Sequence, residues 1–229
     1  MYTCTVNGVT VRRFVYPYIN ANMYFIVDNG RAIVIDPHQS DELHALLISQ
    51  NINDILILLT HEHPDHTSGV NWVRTFANST VICQDSCAQI IAIEKNNRPV
   101  LLSFILAEQD RINNTNTADE FNKIFPQYVC AADITFSQEY IHQWQGRTIK
   151  FLSTPGHSKG SAVIIFDEIM IFTGDSLLKK IPAITRFPGG STKDYNNITL
   201  PFLKSLDEDM LCFPGHGDEG TLKEIFHNF

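Results

Sequence analysis

The sequence predicts a mixed α/β protein in which strand-like and helix-like segments alternate along most of the chain. Three observations carry that prediction. Residues 23–27 (MYFIV) and 32–36 (AIVID) are apolar runs on either side of Asp28-Asn29-Gly30-Arg31, and Asn-Gly between such runs signals a β-hairpin. Residues 55–59 (ILILL) form an unbroken apolar run, the pattern of a strand covered on both faces. Between them, Ser40 precedes Asp41, Glu42 and an apolar stripe through Leu43, Leu46 and Leu47, which reads as an N-capped helix.

The alternation continues with a helix over 68–77, a strand over 80–83 and a helix over 85–95. In 99–128, LLSFILAE is helical and apolar in character, whereas NNTNTADE has the composition of a polar loop. This segment is too short to bury a core of its own. It is therefore expected as an insertion over the central sheet of a single domain spanning 1–229. Strands are expected again at 133–136, 148–153, 162–166 and 168–173. Ser191 or Thr192 is expected to cap a helix reaching about 205, followed by a strand at 210–213 and a last helix from near Asp218.

The bulk numbers fit an ordinary globular protein: 229 residues, 44% apolar and 18% charged. A net charge of −8 argues against nucleic acid as a partner. No run of about 18 apolar residues predicts a membrane span, and the N-terminus lacks the basic-then-apolar order of a signal peptide. The 5 cysteines are odd in number and form no Cys-x-x-Cys pair, so free thiols and a cytoplasmic location are expected. Cys83 and Cys87 lack the tight, repeated spacing of a structural zinc site.

Four polar segments each follow a strand-like run: THEHPDHTSG (60–69), TPGHSKGS (154–161), FTGDSL (172–177) and FPGHGDEG (213–220). They supply His61, His63, Asp65, His66, His157, Asp175 and His216. Imidazole nitrogen and carboxylate oxygen suit zinc, iron or manganese. His61 and His63 are two apart and project the same way in an extended loop. Pro64 turns the chain, aiming Asp65 and His66 at a second position.

The order HxHxDH, TPGHS, TGDS, PGHG resembles the metallo-β-lactamase fold superfamily, from the NMYFIVDNGRAIVIDPH region to PGHGDEGTL. Within it the chain looks most like glyoxalase II-type hydrolases (hydroxyacylglutathione hydrolases) and their short single-domain relatives. The resemblance implies a four-layer αββα sandwich with the site at one edge of its sheets. It also implies two Zn2+ ions, with iron or manganese as alternatives. His61, His63 and His157 would hold the first ion and Asp65, His66 and His216 the second, with Asp175 bridging both. The implied activity is cleavage of a thioester, ester or lactone by a hydroxide held between the two metals, whose combined effect brings the pKa of water from ~15.7 towards ~7. Asp65 would also orient that hydroxide.

Histidine ligands need partners that fix their tautomer. Asp36, at the end of AIVID, is the candidate, and relatives carry an aspartate there. Glu62, between two ligands, is expected to point the opposite way, towards solvent or behind the ligands, and not to act as a general base. Lys179, Lys180, Arg186 and Lys193 gather after Asp175 and would suit a small anionic substrate. The apolar part of the insertion, near 99–106, either covers the cleft as a lid or packs on the sheet. The sequence leaves a homo-oligomer open.

Departures from the family have consequences. Full-length glyoxalase II enzymes carry a C-terminal helical region that helps to bind glutathione, whereas this sequence ends 13 residues after His216. ITRFPGG matches only part of the glycine-arginine segment of close relatives. Both points weigh against glutathione thioesters and leave hydrolysis standing. Asp175 occupies a position that the most studied zinc β-lactamases fill with cysteine, which weighs against antibiotic degradation. The competing enzyme reading is a mononuclear iron oxygenase similar to the persulfide dioxygenases, with His61, His157 and Asp175 on one iron.

Overall fold

A computed structural model describes residues 2–97, 100–124 and 127–227. The strands form two sheets. The first runs, in spatial order, through β1 (Tyr2–Val6), β2 (Val9–Val15), β3 (Asn22–Asp28), β4 (Arg31–Ile35), β5 (Asp54–Leu58), β6 (Asn78–Gln84) and β7 (Ile134–Phe136). Its first four strands are antiparallel and the rest parallel, joined by crossovers through helices. The second sheet contains β8 (Glu139–Trp144), β9 (Arg147–Ser153), β10 (Ala162–Phe166), β11 (Met170–Gly174), β12 (Leu211–Pro214) and β13 (Gly220–Thr221).

Alternation of apolar side chains fixes the layers. Tyr24, Ile26, Ile33, Ile35, Leu56 and Leu58 of the first sheet meet Phe151, Ile164, Phe166 and Phe172 of the second in the central core. The other faces are equally apolar. Phe25, Val34 and Ile57 are covered by Leu43 and Leu47 of α1 (Asp41–Ser49), Val70 and Val73 of α3 (Val70–Arg74) and Cys87 and Ile91 of α4 (Asp85–Ile91). Val163, Ile165 and Ile171 are covered by Leu203 of α8 (Leu200–Lys204) and by Leu222 and Ile225 of α9 (Leu222–Phe226). The result is the expected αββα sandwich.

Several boundaries differ from expectation, each for a local reason. The helix expected over 68–77 is split into α2 (Pro64–Thr67) and α3. Gly69, at the break, lies so close to Pro37 that a Cβ would sit 2.6 Å from its carbonyl. Instead of a continuous helix to 205, Ser191 caps α7 (Thr192–Asp194), a π-turn follows over Tyr195–Thr199, and α8 then begins. The last helix starts at Leu222, where Thr221 and Glu224 form a capping box. NNTNTADE is only half a loop, because α6 (Thr117–Ile124) begins inside it.

β1, β2 and β8 were not expected, although Asn7-Gly8 and Gln145-Gly146 turn at positive φ, as tight hairpins require. In the insertion, α5 (Val100–Asn113) packs on α6, and positions 99, 125 and 126 lie outside the described residues. Leu102, Leu106 and Phe121 bury against Tyr16 and Ala21 in the β2–β3 loop, so this segment packs beside that loop.

Candidate metal centre

The four polar segments converge because their strands end at one edge. β9 and β11 both run antiparallel to β10, and β12 runs parallel to β11, so all three deliver their following loops to the same side. The β5 loop is joined there by Ala162 N–H donating to the Thr60 carbonyl at 2.8 Å. His216 is fixed by a bridge to Ala21, and the neighbouring Gly215 carbonyl accepts from Asn22 N–H at 2.7 Å.

Two triads result. His61 Nε2 and His157 Nε2 each lie 3.0 Å from His63 Nδ1. Asp65 Oδ2 lies 3.3 Å from His66 Nε2 and 3.2 Å from His216 Nε2. Asp175 stands between them, with Oδ2 3.5 Å from His157 Nε2 and 3.6 Å from His216 Nε2, and Oδ1 3.6 Å from His66 Nε2. All seven residues proposed from the sequence as ligands are therefore brought together.

The surrounding hydrogen bonds set which nitrogen of each ring faces inward. Asp36 is 2% exposed and accepts from Thr60 N–H at 2.8 Å, Thr60 Oγ1–H at 2.6 Å and His66 Nδ1–H at 3.0 Å. With its proton given to Asp36, Thr60 Oγ1 accepts from His61 Nδ1–H at 3.0 Å. His157 Nδ1–H donates to the Ile184 carbonyl at 2.8 Å. Each of these three histidines thus turns its Nε2 into the site.

That arrangement fits a metal. Two lone pairs directed at a third imidazole nitrogen 3.0 Å away cannot both be satisfied by its single proton. Nitrogens about 2.0–2.1 Å from a shared tetrahedral ion would lie roughly 3.3 Å apart, close to the observed spacing. His66 Nε2 and Asp175 Oδ1 are buried and lack a hydrogen-bond partner. His61, His63, His157 and, separately, Asp65, His66, His216 each bring ligand atoms within 4.8 Å of one another.

The two triads differ electrostatically without an ion. Burial, then the charges of neighbouring histidines, pushes His61 well down. Burial and His157 push His63 down to about 4. Both rings are therefore neutral, as metal binding needs. Burial also lowers His66, but Asp65, Asp175 and Asp36 outweigh it and hold the ring well above its ordinary value. His216 is raised for the same reason, by Asp175 and Asp65 against burial. Burial raises the Asp65 carboxyl, and His66 and His216 overcome it, so that it stays ionised. Asp65, His66 and His216 would hold an ion only after giving up the proton that neutralises these carboxylates.

Further residues support the ligands. Glu62 is buried at 5% exposure, behind the ligands, the second of its two expected positions. Its Oε2 accepts from Ser158 Oγ–H at 2.8 Å and its Oε1 from Gly160 N–H at 3.4 Å, tying the HxHxDH loop to the loop of His157. Gly160 permits this approach, since a Cβ there would lie 2.5 Å from Glu62 Oε2 and 2.4 Å from Cys87 N. Tyr195 packs against Gly156 and donates from its hydroxyl to the Ser176 carbonyl at 3.0 Å, so one side chain touches the neighbours of both His157 and Asp175. Phe187 places its ring edge-on to His63 and His157 at 5.9 and 6.2 Å. The one sequence cue to Glu62 was its place between two ligands, and Tyr195 and Phe187 had none.

Lys179 Nζ donates to the Glu219 carbonyl at 3.0 Å and lies 3.8 Å from Glu224 Oε2, turned towards the β12–α9 segment. Lys180, Arg186 and Lys193 are exposed. Among the described residues, no helix is long and apolar enough to cross a membrane.

Comparison with known proteins gives the following likenesses. A probable metallo-hydrolase of Streptococcus pyogenes is 28% identical over 222 residues, covering 93% of this chain and 88% of that one. A hydroxyacylglutathione hydrolase of Haemophilus ducreyi is 22% identical over 211 residues, covering 91% of this chain and 70% of that one. The crystal structure of the BLEG-1 B3 metallo-β-lactamase superposes with a TM-score of 0.71 at 23% identity, over 93% of this chain and 95% of that one. TTHA1623, solved in a di-iron-bound form, gives 0.67 at 21% identity, over 93% and 96%. The family model described as the metallo-beta-lactamase superfamily matches residues 17–216, which include every member of both triads, and the chain belongs to that superfamily.

Proposed function

We propose that this protein is a binuclear metal-dependent hydrolase that cleaves a small thioester, ester or lactone. The observation that carries the reading is the pair of triads with Asp175 between them, its Oδ2 3.5 Å from one and 3.6 Å from the other. His61, His63 and His157 would hold one ion, and Asp65, His66 and His216 the other, with zinc, which takes such N/O donors, as the proposed ion and iron or manganese as alternatives. Bound there, divalent ions supply Lewis acidity and bring the pKa of water towards ~7, so that hydroxide is available at neutral pH.

The chain's own residues do the rest. Asp36 and Thr60 keep His61 and His66 in the tautomer that leaves Nε2 free, and the Ile184 carbonyl does the same for His157. The ionised Asp65 accepts a hydrogen bond from the attacking water and so orients it. His63 and His216 are the partly exposed members of the triads, so a substrate carbonyl enters over their edge. No serine or cysteine nucleophile is required. The similarity to a hydroxyacylglutathione hydrolase supports placing this chain near the glyoxalase II-type enzymes.

The test is hydrolysis of a panel of thioesters, esters and lactones by metal-saturated protein. Turnover that disappears with chelation and in Asp65→Asn supports the proposal. Absence of turnover across the panel in fully metallated protein overturns it.

A further inference from the structure

The loop after Asp175 was expected to hold cations for an anionic substrate, yet the side chain it places on the site is aromatic. Phe187 is half-buried and touches both His63 and His157 edge-on. The same loop is locked to the site by the Ile184 carbonyl, which accepts from His157 at 2.8 Å, and by Gly190, where a Cβ would meet the His157 carbonyl at 3.0 Å. Ile184 itself is 46% exposed and Ile181 52%. Lys179 is held by Glu219 and Glu224. Lys180 and Arg186 are exposed.

An aromatic ring set edge-on to two site histidines leaves apolar surface at a polar centre, which burial by an apolar ligand group would remove from water. We propose that Phe187 forms an apolar wall on the His63–His157 side and selects a substrate whose acyl group is uncharged and apolar. This rests on the hydrolase reading and narrows its substrate class. Phe187 is a specificity-determining residue in contact with the acyl chain. Hydrolysis by this route adds water across the acyl bond, releasing the carboxylic acid and the alcohol or thiol, with no redox partner.

The experiment has two readouts on metal-saturated protein. The first is kcat/KM for p-nitrophenyl esters with straight acyl chains of two to eight carbons, and for a glutarate half-ester carrying a free carboxylate. The second is the Kd of the matching alkyl hydroxamates by calorimetry. A buried methylene contributes roughly fourfold in affinity. Both quantities should improve by roughly threefold to fourfold per methylene up to the length of the wall. The half-ester should lag its neutral counterpart by at least tenfold. Phe187→Ala should flatten the chain-length dependence, and Phe187→Leu should restore most of it.

Hydrolysis that favours the half-ester, or a chain-length dependence unchanged in Phe187→Ala, overturns the apolar wall while leaving the hydrolase reading intact. Chain-dependent hydroxamate binding without ester turnover keeps the wall and overturns the hydrolase. Absence of any chain-length dependence in both readouts overturns the wall.

Discussion

Replacing Asp36 by Asn tests how the fold prepares its histidines. The substitution preserves shape, and Asn tolerates the left-handed backbone found here at φ 52. It changes one acceptor oxygen into a donor. If the amide nitrogen replaces Oδ1, it confronts Thr60 N–H, which cannot turn away. If it replaces Oδ2, it confronts His66 Nδ1–H, and the imidazole must move its proton to Nε2, the atom that faces the site. The three hydrogen bonds to Asp36 also lose their charge, worth about 1 kcal/mol each. Metal-free stability should therefore fall by about 3 kcal/mol. Affinity at the Asp65–His66–His216 triad should fall by roughly 10–100-fold, the usual effect of losing such a partner. Competition against a chromogenic chelator resolves the two triads, and urea unfolding gives the stability. His61, reached through Thr60, shares the loss to a smaller degree, and unchanged affinity at both triads refutes the tautomer argument.

Other consequences follow from single contacts. Glu62→Ala leaves Gly160 N–H buried without its acceptor and the Ser158 hydroxyl with Ser161 Oγ as its remaining partner, and should cost about 1–3 kcal/mol in urea unfolding. An unchanged midpoint contradicts the link between the two loops. Gly160→Ala puts a methyl 2.4 Å from the backbone nitrogen of Cys87, which has no flexible end to yield, and should cost about 1–3 kcal/mol by the same assay. Burial pushes the Cys130 and Cys212 thiols up to about 12, and Cys83 and Cys87 are also buried. Since the thiolate is the reactive form, a disulfide reagent at pH 8 should label Cys4 in the native protein and all 5 cysteines once it is unfolded. Rapid native labelling of Cys212 would count against the packing of α9 on the second sheet.

The parts of this molecule legible in the sequence are those whose signal is local. HxHxDH, the two Pro-Gly-His turns and Gly174-Asp175 each follow an apolar strand within a few residues, so both the residues and their place at a strand end could be read directly. Ser40 and the Asn29-Gly30 hairpin were equally local. Of the two positions expected for Glu62, the local sequence could not single out the buried one, because that burial depends on Ser158, 96 residues away. The break in the 68–77 helix depends on the approach of Pro37 to Gly69, and the π-turn on the packing of Tyr195 against Gly156. The first hairpin was missed despite a local Asn-Gly cue of the kind used for the second.

The central claim is that two adjacent ions occupy these triads. Elemental analysis of protein purified without added metal, alongside Asp175→Ala, tests it most directly. The account predicts two ions per chain, zinc foremost, and a marked loss in the variant, since Asp175 is the group shared by both triads. One ion per chain after saturation with metal, or a full complement retained without Asp175, would contradict it.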